Sequence, residues 1–78
     1  MMKAIGVDCR FMNNGRVQVQ RLQVDNRWIT IEQGRQWVDQ QGRHVLIMMP
    51  DRQVQEILLR PDTMTWFLRP RVSTGQLA

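Results

Sequence analysis

Apolar residues along this chain recur mostly at every second position, which is the period of strands with one buried face. The first run is the clearest: Ile5, Val7, Cys9 and Phe11 alternate with Gly6, Asp8 and Arg10. Asn13-Asn14-Gly15 follows, residues that tolerate positive φ at least cost, and predicts a three-residue hairpin loop. The next run starts in phase on Val17 and Val19 and then slips by one to Leu22 and Val24. An uncorrected slip would turn half the strand to the wrong face, so a β-bulge is expected near Gln20-Arg21. With it, Phe11 faces Val17, Cys9 faces Val19, Val7 faces Leu22 and Ile5 faces Val24.

Asp25-Asn26 reads as a two-residue turn that brings Ile29 opposite Leu22 and Ile31 opposite Val19, with Trp28 and Thr30 on the other side. Glu32 to Gln36 is a polar stretch leading to a run at Trp37-Val38. Gln41-Gly42 is expected to turn that run into Val45–Met49, pairing Val38 with Val45 and Trp37 with Leu46. Pro50-Asp51-Arg52-Gln53 is turn chemistry, Val54–Arg60 the next run, Pro61-Asp62-Thr63 another turn, and Met64–Arg69 the last strand. Within 51–60 a short helix competes with a strand, since Asp51 could cap it and Val54, Ile57 and Leu58 stand at helical spacing. Strand is favoured, because Pro61 stops so short a segment. Pro70 cannot donate to a ladder, so pairing should end there.

The fold expected is therefore all-β: an antiparallel meander of about six or seven strands, curled into a small SH3-like or OB-like barrel or a strongly twisted sheet. It occupies 1–70 as a single small domain, with 71–78 as a flexible C-terminal tail. The core set is Ile5, Val7, Cys9, Phe11, Val17, Val19, Leu22, Val24, Ile29, Ile31, Val38, Val45, Ile47 and Met49. The remaining apolar residues are not scattered singly. Trp28, Trp37, Leu46 and Met48 share the opposite face, and Trp66 or Phe67 must join one side. Val45–Met49 is apolar throughout, as a strand covered on both faces would be.

Composition narrows the function. The chain has 78 residues and 42% hydrophobic residues, enough for one small core and too little for a multidomain enzyme. Cys9 is the only cysteine, which excludes a disulfide scaffold and fits a reducing, cytoplasmic setting; no export signal or membrane span is read in the sequence. No cofactor motif is present, and His44 and Cys9 stand alone, so no metal site is expected. His44 reads as an edge histidine beside the turn. Asp8, Asp25, Asp39, Asp51 and Asp62 read as turn or strand-edge residues, and Ser73 lies in the tail. The chain is read as non-enzymatic.

The formal charge is +4, arginine outnumbers lysine ten to one, and ten glutamines add uncharged hydrogen-bonding groups. Guanidinium forks onto phosphate and stacks on bases, so a basic module for single-stranded nucleic acid is the first reading. Its candidate contacts are Arg27, Trp28, Arg35, Trp37, Arg60, Trp66, Arg69 and Arg71. The alternative is a protein-interaction or adaptor module, a homodimer that covers its second apolar face through Trp28, Trp37, Leu46 and Met48.

Overall fold

In the computed structural model, which describes residues 2–69, every element is a β-strand: β1 (Lys3–Phe11), β2 (Val17–Val24), β3 (Arg27–Thr30), β4 (Glu32–Asp39), β5 (Gly42–Met48), β6 (Val54–Arg60) and β7 (Thr65–Arg69). They form one antiparallel sheet in the order β3-β2-β1-β7-β6-β5-β4, curled strongly into a half-barrel. The sequence expectation of an all-β meander holds, and 51–60 contributes strand, not helix. The expected tail, 71–78, and the expected stop at Pro70 lie outside the described residues.

The first hairpin follows the alternation. Phe11 faces Val17, Cys9 faces Val19 and Val7 faces Leu22, and the register shifts between Asp8 and Cys9, which leaves Gln20 as the extra residue. Two loops share one geometry. Met12 N–H donates to Arg16 O (2.8 Å) around Asn14 and Gly15, and Met49 N–H donates to Gln53 O (2.9 Å) around Asp51 and Arg52. In each, the side chain of Asn14 or Asp51 accepts from the backbone N–H two residues on, and the next residue is left-handed: Gly15 at φ 87° and Arg52 at φ 72°. That turn consumes the Asp51 side chain that could have capped a helix. Asp25 and Asn26, at φ 53° and 65°, make the two-residue turn between β2 and β3.

Both β3 and β4 run in the direction of β1, because each is separated from it by an even number of antiparallel steps across the sheet. Only Ile31 separates them. Together they act as one bent strand: its first half pairs with the end of β2, and its second half leaves β2 to pair with β5. Ile31 accordingly donates its N–H to Gln20 O (3.1 Å) and does not face Val19 as expected.

The bend leaves the start of β2 without a strand partner on that side, and glutamines take the partner's place. Gln36 Oε1 accepts from Val17 N–H (3.0 Å), Gln33 Oε1 accepts from Val19 N–H (2.6 Å), and both side-chain amides donate to Val17 O. In a straight strand residues three apart point to opposite faces. A register shift between Gln33 and Gln36 brings both side chains to the same side. The polar stretch 32–36, read from sequence as a connection, is thus a strand that closes the curl.

The core lies on the inner face and contains Val17, Val19, Leu22, Ile31, Val45, Ile47, Ile57, Leu59 and Trp66, with Ile5, Val7, Cys9, Val24, Ile29, Met49 and Leu68 packed against it. Two expected core residues fall outside it: Phe11 is 56% exposed and Val38 61% exposed. Both keep the inward phase of their strands, but they stand at the strand ends where no opposite wall remains. Desolvation, with Asp8 adding repulsion, raises the Cys9 thiol pKa, consistent with an inert packed side chain.

Candidate functional site

The outer face is set by the same alternation. Across β4, β5, β6 and β7 the register aligns Trp37, His44, Leu58 and Phe67 in one row. The neighbouring row holds Leu46, Glu56 and Arg69, and beyond it Met48 lies opposite Val54. The expected register at the start of this region was wrong by two residues. Trp37 pairs with His44 and Val38 with Arg43, because the turn is at Gln40-Gln41 and Gly42 already belongs to β5.

That register corrects the reading of His44 as an edge residue: its residue surface is 2% exposed. Its Nδ1 lies 2.6 Å from Glu56 Oε2 and its Nε2 lies 2.8 Å from Asp39 Oδ1, and the ring stacks on Trp37 with centroids 5.0 Å apart and planes 3° from parallel. Asp39 Oδ1 also accepts from Gln41 N–H (2.9 Å), and Arg69 Nη1 lies 3.4 Å from both Glu56 Oε2 and Gln41 Oε1. Asp39, His44 and Glu56 come from three strands, so sequence spacing could not associate them. Among the described residues no group of three or more His, Cys, Asp or Glu could hold a metal ion.

Burial of the His44 ring opposes its charged form, but the hydrogen bonds and charges of Glu56 and Asp39 outweigh that, and its pKa is raised above the usual 6.5. The hydrogen bond from His44, with that from the Gln41 backbone, lowers the Asp39 pKa from its usual 3.8. Linkage then gives two signs. The His44 contribution to stability is fully present below pH 6.5 and disappears as pH rises through its raised native pKa. The Asp39 contribution is present above pH 3.8 and disappears as pH falls through its lowered native pKa. Urea midpoints should therefore be higher at about pH 5.5 than at about pH 9, and His44→Gln should flatten that decline.

The candidate ligand residues are divided by the fold. Trp28 and Trp37 both point outward from the bent strand formed by β3 and β4, as the alternation expected. Trp28 is 47% exposed, and its ring carries the Arg21 guanidinium at 4.9 Å; Arg21 also pairs with Asp8 at 3.0 Å. Trp37 is half-buried and carries Arg35 at 5.4 Å. These are cation–π distances, and Arg21 was not among the residues expected beside Trp28. Arg27 is exposed at the start of β3. Arg60 pairs with Asp62 at 3.5 Å, and Arg69 is committed to the His44 network. Trp66 is buried in the inner core, opposite Leu59, where no base can stack. Arg71 lies outside the described residues.

Comparison with protein-family models, with curated proteins and with solved structures found no match to this chain. Among the described residues no helix is long and apolar enough to cross a membrane.

Proposed function

We propose that this protein is a non-enzymatic, cytoplasmic module that binds single-stranded nucleic acid along the outward side of its bent strand. The observation that carries the reading is the placement of Trp28 and Trp37, each with a guanidinium over its ring, on the outward side of that one strand. Small barrels hold single strands by stacking bases on aromatic side chains while cations follow the phosphates. Trp28 and Trp37 stand nine positions apart, so the strand path between them is at most about 30 Å. That length suits the ~4–16 nucleotides engaged by one small barrel. Arg21, Arg27 and Arg35 supply charge beside the rings, and the chain's +4 balance favours a polyanion.

Fluorescence anisotropy of a labelled 15-nucleotide oligo(dT) tests this. Trp28→Ala should weaken binding by ~1–3 kcal/mol and leave the salt dependence unchanged. Arg27→Ala or Arg35→Ala should make the slope of log K against log salt shallower by about 0.7 for each phosphate no longer neutralised. No binding at low salt, or binding indifferent to which arginine is removed, ends the reading.

A second reading has its own observation. Met48 and Val54 are paired neighbours on the outer face, both exposed, beside half-buried Leu46. A second copy covering them would form a homodimer, and Met48→Asp would then yield a monomer in sedimentation.

A further inference from the structure

Both ring nitrogens of His44 face carboxylate oxygens, at 2.6 Å to Glu56 and 2.8 Å to Asp39. A neutral imidazole has one N–H and one lone pair, so it can donate to only one of them and sets its lone pair against the other anion. An imidazolium donates to both. The charges around it are balanced from each element: Asp39 on β4, Glu56 on β6, and Arg69 on β7, which reaches the same Glu56 oxygen at 3.4 Å. Arg35 of β4 lies over Trp37, and Arg60, the outward residue of β6 beyond Leu58, is paired with Asp62. The ring held in this way is the one stacked parallel on Trp37.

We propose that His44 is the positioning residue of the Trp37 platform: locked as an imidazolium between Asp39 and Glu56, it holds the indole in place, and its deprotonation releases the ring and weakens nucleic-acid binding. This rests on the reading of Trp37 as a base-stacking surface. The two carboxylates respond differently when the proton leaves. Glu56 is buried and held by Arg69, whereas Asp39 is exposed and can swing into water. Asp39 ends the strand that carries Trp37 and also fixes the turn through Gln41 N–H, so its departure loosens the end of β4 on which the indole stands. The direction of regulation follows: binding is tighter at neutral pH than in alkali.

His44 is the only histidine of the chain, so its imidazole C–H resonance reports one titration without ambiguity. Trp28→Phe leaves Trp37 and the core residue Trp66 as emitters, and Trp37 emission is then followed in the free protein against pH. The expected result is an emission change with the midpoint of the His44 resonance, and an oligo(dT) affinity that falls by about tenfold across that midpoint, the worth of roughly one interaction. Asp39→Asn removes one countercharge while keeping an acceptor, and should move the resonance, the emission and the affinity curves together to lower pH. Emission that stays flat while His44 titrates overturns the clamp. Affinity that stays flat across the midpoint overturns the regulation. Absence of oligo(dT) binding at every pH overturns the ligand reading, and the emission curve, measured without oligonucleotide, still decides the clamp on its own.

Discussion

Gly42→Ala is expected to remove about 2–6 kcal/mol, a large share of the protein's stability. Gly42 opens β5 at φ 141°, and a Cβ there would lie 2.1 Å from the carbonyl oxygen of Leu59 and 3.0 Å from Pro61 Cδ. The first contact is with backbone, so no side-chain rotation relieves it. Left-handed strain costs about 1–3 kcal/mol and overpacking a similar amount. The whole stability of a chain this size is only ~4–12 kcal/mol. The place of the damage matters as well, because Gly42 begins the strand that carries His44, Val45 and Ile47. Circular dichroism and urea unfolding would read the loss directly. A variant with an unchanged midpoint would contradict the close approach of β5 to the β6–β7 turn.

The second large effect concerns closure of the curl. Gln33→Leu together with Gln36→Leu should destabilise the protein by about 3–5 kcal/mol, since each orphaned buried backbone group costs ~1–3 kcal/mol. Val17 would lose partners for its N–H and C=O, and Val19 for its N–H. Arg43 would also lose the Gln36 oxygen it reaches at 2.7 Å, although it keeps its hydrogen bond to Gly15 O at 2.6 Å. Hydrogen exchange should locate the change: the Val17 and Val19 amides should lose protection first, while β6 and β7 keep theirs. If the double variant is as stable as the parent, the glutamines are decoration and the bent strand is held by apolar contacts alone.

These two sites show where sequence reasoning reaches and where it stops. The first hairpin was legible down to its register, because Phe11, Cys9 and Val7 match Val17, Val19 and Leu22 in one pattern only if Gln20 is extra. Such local pairing needs nothing beyond period two and a turn. The role of 32–36 was not legible, because Gln33 and Gln36 look like solvent-facing connection and find their partners on β2 only after the sheet has curled. The Asp39–His44–Glu56 cluster was hidden for a related reason. Its members are joined by cross-strand register, and an error of two residues between β4 and β5 is enough to separate Trp37 from His44. Phe11 and Val38 carried the correct phase, yet phase says which way a side chain points and not whether a wall stands opposite. Of the tryptophans, the sequence placed Trp28 and Trp37 on the outer face and left Trp66 undecided, which β7 settles by turning it toward Leu59.

The central claim is that the outward tryptophans of the bent strand carry the ligand, and one experiment reads all three indoles at once. In ¹⁵N-labelled protein each tryptophan contributes one indole Nε1–H resonance, and a 15-nucleotide oligo(dT) is titrated at low salt. The account predicts that the Trp28 and Trp37 resonances move together along one binding curve while the resonance of buried Trp66 stays in place. Indole resonances that do not move, or shifts confined to the Asn13–Gly15 and Pro50–Arg52 loops, would contradict it.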